Sequence, residues 1–307
     1  RTVSTSQLAA IARRISAKTT AIDINFCSCD DSGARAVAER LPAGLKNLSL
    51  DFALCEIQKA GARAVAENLP AGLQNLGLSF FGKYLGDEGV SALGLAVGHL
   101  QALRSLRFEF AGCSQLADVS VLGSAVGNLQ ALTSLHLDLS FCSQLADVSA
   151  LGSAVGKLQA LTSLHLDFGS CYQLADVSAL GSAVGKLQAL TSLRLDFTEW
   201  EQLADVSALG SAVGNLEALT SLNLWFTGCS QLADVSALGT GVGKLQTLTS
   251  LELKFYNCSQ LADVSALGSA VGKLQALTSL HLSFGGRGSQ LADVSALGSA
   301  VGNLQAL

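Results

Sequence analysis

Histidine, arginine and aspartate side chains recur in this chain at a spacing of 29 residues. His136 and His165 occupy the same place in two successive copies of one segment, and an aspartate, Asp138 or Asp167, follows each of them by two positions. A histidine beside a carboxylate is a pairing used in acid–base catalysis and in metal binding. No Ser-His-Asp set, nucleophile-elbow motif or phosphate-binding loop accompanies these pairs. The sequence therefore predicts no catalytic residue, and we expect that the chain is not an enzyme.

Metal and cofactor sites are not predicted either. Histidines on neighbouring strands of a sheet lie about 5 Å apart and point the same way, so they converge poorly on one ion. The nearest cysteines in the sequence, Cys27 and Cys29, do not have the C-x-x-C spacing of metal-binding cysteines. We therefore expect no metal and no cofactor, and we turn to the repeat that places these side chains.

The repeat is clearest in residues 132–160, which read LTSLHLDLSFCSQLADVSALGSAVGKLQA. Near-identical copies begin at Leu161, Leu190, Leu219, Leu248 and Leu277. A fixed period of this length is typical of a solenoid, in which each unit contacts only its neighbours. One unit of 29 residues is too small to bury a core of its own, so stacking is obligatory.

Each unit is predicted to contain one strand and one helix. Leu135 and Leu137 alternate with polar residues, which indicates a short strand with one buried face. Val148, Leu151 and Val155 fall on one stripe of a helix. The unit is therefore predicted to run from strand to loop to helix and back through a tight return.

The ends of the helix carry their own signals. Asp147 stands where its carboxylate can accept backbone N–H groups of the first helical turn. Gly156 stands where a residue with left-handed backbone conformation is expected to end the helix. Glycine inside a helix is unfavourable, so the repeated G-S-A-V-G segment, Gly152 to Gly156, predicts close approach of neighbouring helices.

These features resemble the leucine-rich repeat family. The matching residues are L-x-x-L-x-L at Leu132, Leu135 and Leu137, a cysteine-containing turn at Cys142 and a further apolar anchor at Leu145. Cys142 follows Leu137 by five positions, where the family pattern has three, so we expect a longer turn. The resemblance implies an α/β solenoid, an arc or horseshoe with one parallel β-sheet on the concave face and short helices on the convex face. It also implies that the concave sheet binds a protein partner.

Residues 21–307 are predicted to form a single leucine-rich-repeat solenoid of about ten repeats, truncated at the C-terminal end. Residues 1–20 place Leu8, Ile11 and Ile15 on one helical face and are predicted to form an N-terminal helical cap or a partial repeat. The first two repeats resemble the ribonuclease-inhibitor-like subclass, and the only prolines, Pro42 and Pro70, are expected to stop their helices.

Two columns of residues are predicted to run along the inside of the stack. An aromatic column is predicted to be buried and consists of Phe26, Phe52, Phe80, Phe110, Phe168, Phe197, Phe226, Phe255 and Phe284, interrupted by Leu139. A cysteine column consists of Cys29, Cys55, Cys113, Cys142, Cys171, Cys229 and Cys258. The cysteines are either buried thiols or disulfides between neighbouring units, and the breaks at Lys83, Trp200 and Arg287 favour thiols.

A third column, of aspartates, precedes the helices and consists of Asp87, Asp118, Asp147, Asp176, Asp205, Asp234, Asp263 and Asp293. These carboxylates either cap the helices or bind calcium, and capping alone explains their position.

The positions that vary within the otherwise constant repeat are the candidate partner-binding residues. They are predicted to lie on the exposed strand face in two columns. The first column is Arg107, His136, His165, Arg194, Asn223, Glu252 and His281, and the second is Glu109, Asp138, Asp167, Asp196, Trp225 and Lys254. The opposite charges either neutralise each other between strands or bind a partner protein. Trp225 is the predicted anchor because an exposed tryptophan among small polar residues is unfavourable unless something covers it.

The amino-acid composition limits the classes of partner that the chain is expected to bind. The formal net charge is −5, which argues against nucleic acid, and only 14% of the residues are charged. No apolar run reaches the length of a membrane-spanning helix, so peripheral association or membership of a larger complex remains. The preferred function is a non-enzymatic protein-interaction scaffold. The alternatives are a structural subunit of a larger assembly or fibre packed through its neutral outer face, and ice binding through columns such as Thr133 and Ser134.

Overall fold

The computed structural model describes residues 16–82, 85–291, 293–302 and 304. The helix expected around Leu8, Ile11 and Ile15 lies outside the described residues. The strands are β1 Ala21–Asn25, β2 Asn47–Phe52, β3 Asn75–Phe80, β4 Ser105–Glu109, β5 Ser134–Asp138, β6 Ser163–Asp167, β7 Ser192–Asp196, β8 Ser221–Trp225, β9 Ser250–Lys254 and β10 Ser279–Ser283. They form one parallel sheet whose order follows the chain, as predicted.

A helix follows each strand. The helices are α1 Asp31–Ala38, α2 Lys59–Glu67, α3 Asp87–Val97, α4 Ser120–Val126, α5 Ser149–Val155, α6 Ser178–Val184, α7 Ser207–Val213, α8 Ser236–Val242, α9 Ser265–Val271 and α10 Ser295–Val301. The first three helices have 8 to 11 residues and the later ones have 7. The alternation of strand and helix in an open parallel sheet is the predicted α/β repeat solenoid.

The core lies between the sheet and the helices. Within each unit the two strand leucines, such as Leu135 and Leu137, and the helix stripe of Val148, Leu151 and Val155 are all buried. The alternate residues of each strand and the apolar stripe of each helix therefore face the same core.

The aromatic column forms the predicted spine. Neighbouring rings stack with centroids 4.6 Å apart at Phe26–Phe52 and 6.5 Å apart at Phe168–Phe197, and Leu139 fills the interruption as a buried residue. Phe284 stacks on Phe255 but is only partly buried.

The cysteine column consists of free thiols. From the fourth unit onward these thiols point at main-chain oxygens of the preceding unit, as Cys171 does at the oxygen of Leu139 at 3.1 Å. Trp200 interrupts the column but keeps the bond, because its indole N–H donates to the oxygen of Phe168 at 2.8 Å. The column therefore supplies a weak donor to an otherwise buried carbonyl, and the thiol prediction is confirmed.

The turn after the strand has one backbone feature that the sequence does not reveal. The second residue after the aromatic column has a left-handed backbone in eight consecutive units, at Gly82, Gly112, Phe141, Ser170, Glu199, Gly228, Asn257 and Gly286. In the first seven of these units the N–H group of this residue donates to a carbonyl of the next unit, for example from Glu199 to Thr227 at 2.7 Å. The bond between units holds even non-glycine residues in this unfavourable conformation.

The aspartates of the column bond to the first helical residue from the position before the N-cap, which a valine occupies, with Asp87 as the exception. Asp147 accepts the N–H of Ser149 at 2.8 Å, and Asp176 accepts that of Ser178 at 2.7 Å. Asp87 instead begins α3, and its carboxylate accepts two N–H groups of the next unit, at Ala117 and Asp118.

The prediction for Gly156 was wrong. Its φ is −61°, so the helix ends in a right-handed conformation. Glycine is needed there for space, since a Cβ atom on Gly156 would lie 3.0 Å from the Cβ of Ala183 in the next helix. A Cβ on Gly152 would likewise lie 3.0 Å from the Cα of Leu180. Close approach of neighbouring helices, the second prediction from these glycines, is confirmed.

Candidate interaction surface

The open face of the sheet is the face that turns away from the helices. It carries both columns of varying residues, and the strand register places Arg107, His136, His165 and Arg194 side by side on β4 to β7. The same register aligns Asp138, Asp167, Asp196, Trp225 and Lys254 on β5 to β9. Asn223, Glu252 and His281 continue the first column on β8 to β10, and Glu109 begins the second on β4.

Exposure along this face is less than the sequence predicts. Arg107 and His281 are exposed, whereas His136, His165 and Trp225 are half-buried. Asp196 is buried, with 6% of its surface accessible. Side chains on strands about 4.8 Å apart cover one another, so alternation along one strand overstates their exposure.

The imidazoles of the first column form a packed pair. The His136 and His165 rings meet edge to face with centroids 4.0 Å apart, and the guanidinium of Arg107 lies 3.2 Å from Nδ1 of His136. Arginine can only donate, so Nδ1 of His136 accepts and the ring is neutral. Burial, reinforced by the charge of Arg107, lowers the pKa of His136 to about 4. Burial and the neighbouring His136 lower the pKa of His165 to about 3.

The aspartates of the second column close the turns that follow their strands. Asp138 accepts the N–H of Ser140 at 2.9 Å, and Asp167 accepts that of Gly169 at 2.9 Å. Asp196 accepts the N–H of Thr198 at 2.8 Å. Burial, together with the carboxylates of Asp196 and Asp138, raises the pKa of Asp167 to about 6. These carboxylates therefore have a structural role, besides any role in binding.

Trp225 is held between two cations. The guanidinium carbon of Arg194 lies 3.8 Å from the indole centroid, and Nζ of Lys254 lies 3.5 Å from it. Lys254 also forms an ion pair with Glu252 at 2.9 Å. The expectation of a freely exposed tryptophan was therefore wrong, because the side chains of the two neighbouring strands cover its ring.

Three buried nitrogens on this face have no hydrogen-bond partner among the described protein atoms. They are Nε2 of His165, Nε of Arg194 and Nε1 of Trp225. A buried polar atom without a partner costs about 1–3 kcal/mol, so such atoms are uncommon in a finished structure. Two of these residues, His165 and Arg194, line a shallow hollow of about 280 Å³ together with Arg107, His136 and the serines that begin these strands.

A second group of surface residues was not predicted from the sequence. Large apolar side chains project from the turns at the carboxyl ends of the strands, and 58% of the surface of both Phe81 and Phe141 is accessible. The group, which we call the apolar rim, consists of Leu54, Phe81, Phe141, Tyr172 and Tyr256. The available signal was an aromatic or leucine residue in a turn where most units have a small or polar residue.

Other kinds of site have no support in the described part of the chain. No group of three or more His, Cys, Asp and Glu residues among these residues is arranged to hold a metal ion. None of the described helices is both long and apolar enough to cross a bilayer.

Comparison with known proteins bears on the fold. A family model described as a leucine-rich repeat region matches residues 101–307. An internalin (inlF) of Listeria monocytogenes is similar in structure over 98% of this chain and 79% of its own, with 19% identity and a TM-score of 0.54. A chain from the yeast Rad7 and Elc1 complex matches over 99% of this chain and 82% of its own, with 19% identity and a TM-score of 0.51. No curated protein matches the sequence.

Proposed function

We propose that this chain, which belongs to the leucine-rich repeat family, is a non-enzymatic scaffold that binds a protein partner through the open face of its sheet. The observation that carries the proposal is the arrangement of Trp225. Its ring is held by Arg194 and Lys254 at 3.8 and 3.5 Å, on a face where three buried nitrogens lack partners among the described residues. A rigid aromatic side chain flanked by cations is typical of the residues that dominate binding energies.

The charges on the open face of the sheet indicate which charges a partner protein should present. Arg107 at the start of the first column is exposed and forms an ion pair with Glu109 on its own strand, and Asp138 and Asp167 follow Glu109 in the second column. A complementary partner presents acidic groups to Arg107 and donors or cations to the aspartates. The Rad7 and Elc1 structure contains a related fold within a complex, which agrees with membership of an assembly.

Copurification followed by mass spectrometry tests the proposal when variants of two faces are compared. The face variant combines Arg107→Glu and Trp225→Ala. The control variant combines Ser153→Glu and Ser182→Glu, two exposed residues on the helices. Proteins that the wild type and the control retain, and that the face variant loses, would support the proposal. Proteins lost only by the control would contradict it.

The change of Trp225 to alanine then measures how much this side chain contributes to the binding affinity. We expect binding to a partner found in this way to weaken by about 2 kcal/mol or more, roughly 30-fold in Kd. Because the ring contacts two cations, we also expect a loss of about 1–2 kcal/mol in the free energy of unfolding. Circular dichroism separates the two effects. Unchanged affinity with reduced stability would show that Trp225 is packing material.

The helical face supports the alternative of an assembly subunit. Leu95 on α3 is 59% exposed and lies at a groove of about 450 Å³, whose lining includes Ala92 and Ala96. Sedimentation at micromolar concentration distinguishes the two functions. A scaffold sediments as a monomer, whereas a subunit packed through this groove self-associates and loses that association when Leu95 is changed to lysine.

A further inference from the structure

The thiols of Cys29 and Cys55 differ from the rest of the cysteine column. Their Sγ atoms lie 3.1 Å apart, and the thiol of Cys29 donates to the sulfur of Cys55. Cys55 also points at the carbonyl oxygen of Phe26 at 3.6 Å, as Cys142 does at that of Phe110 at 3.4 Å, so the contact between two sulfurs is what sets the first pair apart. The first two units therefore bring two sulfurs of neighbouring repeats into contact.

The backbone holds the pair in this position. Residues 30 and 56, which follow the two cysteines, form a parallel bridge, and the N–H of Glu56 donates to the oxygen of Cys29 at 3.0 Å. On the other side, the Phe26 and Phe52 rings stack 4.6 Å apart at an angle of 4°. Residues paired across neighbouring parallel strands have Cα atoms about 5 Å apart, which lies within the range that a disulfide spans.

Reagents can reach Cys29, whereas Cys55 is buried, with 8% of its surface accessible. Cys29 is half-buried and Cys27, two residues earlier, is exposed, whereas Cys142 and Cys171 are fully buried. The bond from the Cys29 thiol lowers the pKa of Cys55 and raises that of Cys29, so Cys55 ionises first. A thiolate beside a second thiol is the arrangement that thiol–disulfide exchange requires.

We propose that Cys29 and Cys55 are an oxidisable dithiol site, which small-molecule disulfides convert into a covalent bond between the first and second repeats. One thiolate attacks a sulfur of the reagent RSSR and releases one RS⁻, forming a mixed disulfide. The second thiolate attacks the protein sulfur of that mixed disulfide and releases the other RS⁻. The two cysteines lose two protons and two electrons, and RSSR is reduced to two RSH. The new bond ties β1 to β2.

The test uses the full chain folded in buffer with glutathione disulfide as the oxidant. Free thiols are alkylated and the protein is digested and mapped by mass spectrometry. We expect a peptide cross-linked through Cys29 and Cys55 and a loss of two of the eight free thiols. The matched control is the Cys142 and Cys171 pair, which occupies the equivalent positions in two later units and is expected to remain reduced. A cross-link through Cys27, a persistent glutathione adduct or equal oxidation of the control pair would overturn the proposal.

Hydrogen exchange measures the effect of the bond on the fold. We expect exchange of the β1 amides to slow at least tenfold on oxidation of the wild type. The variant Cys55→Ser is expected to form no cross-link to Cys29 and to show no such slowing. The mass-spectrometric map of the wild type tests the cross-link even if this variant folds poorly. Equal exchange in the oxidised and reduced wild type would contradict the claim that the bond ties β1 to β2.

Discussion

Changing Asp167 to asparagine should stabilise this protein at neutral pH. The carboxylate of Asp167 is half-buried, with Asp138 and Asp196 paired to it on the two neighbouring strands. Its pKa rises from 3.8 to about 6. At 1.36 kcal/mol per pKa unit, the charged form costs at most about 3 kcal/mol. Solvent reaches part of the side chain, so we expect about 1–2 kcal/mol.

The sign follows from proton linkage. Between pH 3.8 and about 6 the folded protein holds a proton on Asp167 that the unfolded chain has released. Stability from this group is therefore lost as the pH rises through that interval. His136 and His165 act in the opposite direction, because burial lowers their pKa values and the unfolded chain binds protons more readily. The difference between wild type and variant isolates Asp167.

The measurement is urea-induced unfolding followed by circular dichroism from pH 4 to pH 7.5. The asparagine variant should match the wild type near pH 4 and exceed it by about 1–2 kcal/mol at pH 7. Its amide oxygen can still accept the N–H of Gly169, so the turn is kept. The matched control is Asp51→Asn. Asp51 accepts the N–H of Ala53 in the equivalent turn, but its neighbour on the adjacent strand is the neutral Asn25. A pH-independent difference at Asp167, or an equal gain at Asp51, would refute the reasoning.

Two further predictions concern contacts between neighbouring repeats. A Cβ on Gly181 would lie 2.7 Å from the backbone N of Leu209, whereas no atom of the described residues lies within 4 Å of one on Gly298 at the equivalent position. Alanine should therefore destabilise the protein at Gly181 by about 1–3 kcal/mol and stabilise it at Gly298 by up to about 1 kcal/mol, and denaturation curves giving the same sign at both sites would contradict this. Changing Trp200 to phenylalanine removes the N–H bond to the oxygen of Phe168, so we expect a loss of about 1–3 kcal/mol in the same assay. A loss below about 0.5 kcal/mol would show that the bond contributes little.

Much of the candidate surface was predictable. Because the strands pair in register, equivalent positions of successive repeats become neighbours, as the pairing of His136 with His165 shows. The contacts made by these side chains were not predictable. The ring of Trp225 is covered by Arg194, which is two positions earlier on the previous strand in the common register, and by Lys254. Such diagonal contacts depend on side-chain conformations.

The repeated pattern in the sequence was sufficient to specify the fold, because a pattern copied many times defines both the buried faces and the neighbours of every unit. It predicted the parallel sheet, the aromatic column and the aspartates that accept backbone N–H groups where the helices begin. The reasons why particular residues occupy their positions became clear only from the contacts between neighbouring repeats. Glycine at 156 serves close packing rather than a left-handed turn, and Phe141 and Glu199 take the left-handed conformation without being glycine. In both cases the next repeat is decisive, since it supplies either the backbone that excludes a side chain or the carbonyl that fixes the turn.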